Sequence, residues 1–169
     1  MNKDLLESLE GQVIRVDRGG PHAAVGKLFK AGDDYFVLLT KKDGVVVYKT
    51  HHVKSITHDS KDQMAMNVMA PEGLENLFKE DDFKSVIAKL EHRWVKINPE
   101  KLEGVLDGVT DDYLTIIAKE EIIHVSMFHL RNISFGVLAA TDGNEDDDDN
   151  SDDNNDDNKG NGRRRRRRS

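Results

Sequence analysis

Cysteine is absent from this 169-residue chain, so disulfide frameworks and thiolate metal sites are excluded. Aromatic residues are scarce at 6%, and the 37% of apolar residues fall in short runs between charges, so a folded body with modest cores is expected, stabilised by packing or assembly. Long hydrophobic runs are missing too: the longest span a few residues, far from the roughly 20 that cross a bilayer, and no membrane insertion is expected. The opening "MNKDLLESLEG" lacks the basic stretch and apolar stretch of a secretory signal. The expectation is synthesis in, and retention by, the producer's cytoplasm or something that cytoplasm builds. No phosphate-binding P-loop, nucleophile elbow or metalloprotease helix is present, so neither catalysis nor a cofactor is expected.

The net charge of −7 divides unevenly. Residues 142–169 hold ten acids and seven bases, leaving the body with twenty-two acids and eighteen bases. Neither part is basic enough overall to announce nucleic-acid binding. The tail "TDGNEDDDDNSDDNNDDNKGNGRRRRRRS" is of low complexity and cannot form a core, so disorder is expected over 137–169. Its terminal run of Arg163, Arg164, Arg165, Arg166, Arg167 and Arg168 suits pairing with acidic tails of neighbouring copies, attraction of polyanions, or folding back on its own acids; the first is preferred.

What the body does contain is a duplicated pattern. "GKLFKAGDDYFVLL" (26–39) and "GVLDGVTDDYLTII" (104–117) share G-x-L-x4-D-D-Y, 78 positions apart. Gly, Leu, Asp, Asp and Tyr coincide at five of thirteen positions from Gly26 to Leu38, where unrelated sequence gives about one. The endings "HVKSI" (52–56) and "HLRNI" (129–133) match 77 positions apart, which places a one-residue loss in the hairpin between the two motifs.

Each half reads as a helix followed by five strands. In the first, "NKDLLESLEG" puts Leu5, Leu6 and Leu9 on one helical face, and strands are expected over 12–16, 26–31, 34–39, 44–49 and 52–56. In the second, "DDFKSVIAKLEHR" (81–93) aligns Phe83, Val86, Ile87 and Leu90, with strands over 94–98, 102–109, 112–117, 121–126 and 129–133. The resulting division is 1–58, a Met-containing linker or strap at 59–80 with Met64, Met66 and Met69, a second unit at 81–136, and the tail. Units this small bury little alone, so pairing of the halves through strand edges or apolar faces is expected.

Individual residues point to structure more than to chemistry. Gly26 and Gly104 suit a close backbone approach or a bend that curls the sheet. The D-D-Y blocks read as tight turns in which an Asp bonds nearby backbone N–H groups and Tyr35 and Tyr113 pack inward. Adjacent carboxylates at Asp33, Asp34, Asp111 and Asp112 lack the further ligands of a hard-cation site. Arg18, Gly19, Gly20 and Pro21 form a candidate anion or turn site, because two glycines permit positive φ and expose N–H groups. His51 and His52 point to opposite faces if their segment is a strand, which is poor geometry for joint metal binding.

The helix-and-five-strand order, with "GKLFKAGDDYFVLLTKKDGVVVYKTHHVKSI", resembles the Sm-like fold, the small bent-sheet barrel of RNA-binding ring proteins. The implied fold is mainly β with short helices: two tandem Sm-like small bent-sheet barrels plus a disordered tail. The resemblance also implies an alternative function as an Sm-like RNA-binding module, with Lys49, His51, His52, Lys54 and Arg131 in contact with RNA. A closer resemblance covers residues 5–135. "VIRVDRGGPHAAVGKL", "HHVKSI", "DDFKSVIAKLEHRWVKIN" and "EGVLDGVTDDYLTI" look like the N-terminal repeats of the spore coat protein B family of endospore-forming bacilli. That resemblance implies a structural component of the outer spore coat, made in the mother-cell cytoplasm and assembled on the forespore surface with other spore coat proteins. It further implies signature positions, not catalytic ones, at 18–21 and 51–56. Sheet edges and apolar faces are expected to dock neighbouring coat proteins, self-association through sheet edges is one such contact, and nucleic acid is not the expected partner.

Overall fold

The computed structural model describes residues 1–59, 66–98 and 101–136; the tail from 137, with its arginine run, and Met64 lie outside them. Helix α1 (Lys3–Ser8) begins where the Asn2 side chain accepts from the backbone N–H of Asp4, satisfying one free donor of the first turn. Leu6 and Leu9 are buried, but Leu5, expected on the same face, is 46% exposed. Strands β1 (Val13–Val16), β2 (Ala24–Ala31), β3 (Tyr35–Thr40), β4 (Gly44–Lys49) and β5 (Ile56–His58) follow. Helix α2 (Phe83–Ala88), shorter than the expected 81–93, is capped by Asp82 through the N–H of Ser85. It precedes β6 (Trp94–Asn98), β7 (Leu102–Val109), β8 (Tyr113–Ala118), β9 (Glu121–Ser126) and β10 (Asn132–Phe135).

All these strands form one antiparallel sheet in the order β5-β1-β2-β3-β4-β10-β6-β7-β8-β9. The second five repeat the order of the first, and the registers agree. Ile14 faces Gly26 while Val16 faces Ile56; Val95 faces Gly104 while Ile97 faces Ile133. Register shifts fall between Leu28 and Lys30 and between Leu106 and Gly108, matching positions at which a bulge bends and twists the strand. Thr40 pairs with Gly44 across a three-residue loop, whereas Ala118 pairs with Glu121 across two, so the residue lost between the motifs lies in that hairpin. Gly26 and Gly104 mark a close approach: an added Cβ would sit 2.5 Å from the carbonyl oxygen of Leu39 or of Ile117.

The halves meet where β4 pairs with β10, from Val45 opposite Phe135 to Tyr48 opposite Asn132. That join explains the unbroken apolar runs of β3 and β4, which are buried at every position. Phe36, Leu38, Val46 and Tyr48 pack in one cluster with α1. Tyr35, Val37, Leu39, Val45 and Val47 pack in a larger one with α2 and strands of the second half. Over its described residues, the segment expected as a linker or strap at 59–80 packs on this larger cluster through Val68, Leu74 and Phe78, with Met66 partly buried against it. Met69 is 61% exposed. The Phe78 ring stands 6.1 Å from Phe29, 6.4 Å from Tyr35 and 6.5 Å from Phe135, touching both halves.

Further expectations need correction. Tyr35 is fully buried and its hydroxyl donates to the Glu80 carbonyl oxygen at 2.7 Å, but Tyr113, also expected inward, is 42% exposed because its face lacks a covering layer. The segment Thr50–His52 is a 3-10 turn, so β5 starts at Ile56 and not at residue 52. The His51 and His52 rings consequently lie 4.1 Å apart rather than on opposite faces. The last strand likewise starts at Asn132, not at 129.

Burial pushes the phenols of Tyr35 and Tyr48 up to about 12, with nearby carboxylates adding to the effect. Between about pH 10 and pH 12 the unfolded chain therefore loses these protons before the folded chain does, and stability falls as pH rises through that window. Urea midpoints measured across it are expected to decline steeply for the parent chain and less steeply for Tyr48→Phe, and equal slopes would contradict the assignment.

Candidate functional site

The conspicuous charged cluster lies at the join of the halves, and Asp17 organises it. Asp17 directly follows β1, with a left-handed φ of 52°, and is 6% exposed. Its Oδ1 accepts from the backbone N–H groups of Lys54 at 2.8 Å and Ser55 at 3.2 Å. Its other oxygen, Oδ2, forms an ion pair with Arg131, whose side chain is also largely buried. Arg131 Nη1 donates to the His52 carbonyl oxygen at 3.1 Å, its N–H donates to the Asn98 carbonyl oxygen, and its own carbonyl oxygen accepts from the Lys49 N–H. Charge-assisted bonds of this kind fix geometry strongly in a dry setting.

Lys49 is held in the same seam. Its Nζ donates to the Met127 carbonyl oxygen and stands 5.5 Å from the centre of the Phe83 ring. Burial lowers its pKa, against a smaller opposing pull from Asp34. Burial, then His52 and Lys49, lowers that of His51, and burial lowers that of Arg131. His52 Nε2 bonds the Phe128 carbonyl oxygen at 2.9 Å. Of the five residues named as RNA contacts, Lys49, His52 and Arg131 thus serve the join, and only His51 and Lys54 are exposed. A depression of about 410 Å³ beside them mixes signs, with Lys49 and His51 facing Asp111 and Asp112.

The "RGGP" turn lies elsewhere. Gly19 and Gly20 take φ of 78° and 84°, as the sequence requires, and Arg18 is exposed. Pro21 and His22 border a cleft of about 560 Å³ that also takes in Lys41, Lys42 and Lys101, while Arg18 is not part of its wall. Among the described residues no three His, Asp or Glu side chains are grouped to hold a metal ion.

Two structural residues went unrecognised in the sequence. Asp17 carried a signal, a lone acid between a strand and a glycine pair. Phe78 carried none beyond being apolar in a linker.

Over the described residues, fold and site together define a mainly β protein with ten antiparallel strands and two short α-helices, whose buried charges join its own halves. No family model matches the chain. It is similar to spore coat protein B of Bacillus subtilis (strain 168), 36% identical over 135 residues that make up 78% of this chain and 34% of that protein. The chain belongs to the spore coat protein B family. It spans about a third of the length of the relative it matches.

Removing one partner of a buried ion pair costs about 3–5 kcal/mol, whereas exchanging both for neutral groups costs much less. Arg131→Ala is therefore expected to lower unfolding free energy by about 3–5 kcal/mol in urea titrations. The double variant Asp17→Asn, Arg131→Met should recover most of that loss, since an amide oxygen still accepts from Lys54 and Ser55. Equal losses in both variants would contradict the role assigned to the pair.

Proposed function

We propose that this chain is a structural component of the bacterial outer spore coat, made in the mother-cell cytoplasm and acting by protein–protein assembly on the forespore surface. The observation that carries this reading is the similarity to spore coat protein B over most of the chain. Each half is read as an Sm-like unit, a reading supported by the repeated strand order and matching bulges. Other spore coat proteins are the partners, and free sheet edges and exposed apolar side chains such as Phe128, 72% exposed, are the means of contact. The arginines 163–168 add electrostatic pairing with neighbouring tails. RNA is not favoured, because Lys49 and Arg131 are committed to backbone carbonyls and to Asp17.

A fluorescent fusion followed through sporulation is expected to form a late ring around the forespore, and the protein should be recovered in the coat fraction of purified spores. Diffuse signal in growing cells, with RNA binding that survives deletion of residues 142–169, would overturn this reading.

A further inference from the structure

Among the described residues the sheet ends in β5 on one side and β9 on the other, each paired along one edge only. We propose that they pair with each other between copies, so that β9 of one chain adds antiparallel to β5 of the next in the register of the β4–β10 ladder. By position in its half, β9 corresponds to β4 and β5 to β10. Val45 faces Leu39 as Ile122 faces Ile117, and Ile56 faces Val16 as Ile133 faces Ile97. Transferring the internal ladder places Ile122 opposite His58 of the next copy, Ile123 opposite Thr57 and His124 opposite Ile56.

The exposed apolar residues fit this continuation. At the β9 end Tyr113, Ile117 and Ile122 are 42%, 38% and 69% exposed, while their counterparts Tyr35, Leu39 and Val45 are buried at the internal join. At the other end Leu5 is 46% exposed, while Val86, its counterpart on α2, is fully buried. Each end thus exposes what the internal join covers, which is the complementarity that a head-to-tail contact needs. The duplicated D-D-Y acquires a reason as well. In the first half Asp34 Oδ1 accepts the Phe83 N–H and the Asp33 N–H donates to the Asp81 carbonyl oxygen, so the motif receives the chain entering the second half's helix. Asp111, Asp112 and Tyr113 offer the same motif to the next copy. One element is weaker: Lys54 and Asn98 stand where the internal join has Arg131 and Asp17, so the contact is reversible and concentration-dependent. Such a heterologous contact propagates, into a ring or an open chain.

This inference deepens the assembly reading and rests on it for its setting, but its test uses purified full-length chain, so its failure is separate from failure of coat localisation. Because the chain has no cysteine, introduced pairs report without background. The Lys49 N–H donates to the Arg131 carbonyl oxygen, which by alternation makes Val46 opposite Ser134 a non-hydrogen-bonded pair, the closest kind. Its counterpart between copies is Ile123 opposite Thr57. Thr57→Cys with Ile123→Cys, oxidised at about 0.5 M salt to screen the charged tails, is expected to give a ladder of disulfide-linked multimers. Thr57→Cys with His124→Cys, whose side chains point to opposite faces, should not. Adding Ile122→Asp to the productive pair, at an exposed position that leaves the fold intact by circular dichroism, should cut the linked fraction about tenfold. A productive pair that stays monomeric, or Ile123→Cys alone linking as well as the pair does, would overturn the proposal.

Discussion

The ladder between β4 and β10 is the constraint on which the rest of the structure depends. Without it the first half would end in an exposed apolar edge and the second would lack a floor for β6. The ladder alone supplies only backbone bonds, which any two strands can make. The Asp17–Arg131 pair adds specificity: it ties the end of β1 to the approach to β10, and through Oδ1 it also fixes the approach to β5. A buried charge of either sign here tolerates no other register, because a slip of one residue would leave it unpaired.

Hydrophobic layers complete what the ladder begins. Strands β3 and β4 lie between the α1 cluster and the larger cluster, so they need apolar residues on both faces, from Tyr35 to Leu39 and from Val45 to Tyr48. Strands β8 and β9 belong to the same pattern but have one covered face, and their sequence returns to alternation with His124, Thr115 and Glu121 exposed or partly so. The strap reinforces the junction, since Phe78 meets Phe29 and Tyr35 from one half and Phe135 from the other.

Much of this was legible in the sequence. The bounds of β4, β6, β7 and β9, the buried face of α2 and the hairpin that lost a residue all follow from runs, glycines and the 78 and 77 spacings. What was not legible depends on contacts distant along the chain. Leu5 and Leu6 are equivalent by helical periodicity, and only packing decides that Leu6 is covered and Leu5 is not. Tyr35 and Tyr113 occupy the same place in the same motif, and what separates them is whether a further layer follows. Lys49 and Arg131 read as free cations because their partners, the Met127 carbonyl oxygen and Asp17, lie 78 and 114 positions away. Residues that imply a binding surface when read locally become the fastening of two halves.

The direct test of this account is amide hydrogen exchange on the full chain. The β4–β10 ladder as central constraint predicts that Val45–Lys49 and Asn132–Phe135 exchange together among the slowest amides, while β9, a free edge, exchanges faster at low concentration. Rapid exchange in β10 with continued protection of β6 to β8 would mean that the halves separate independently, and would contradict it.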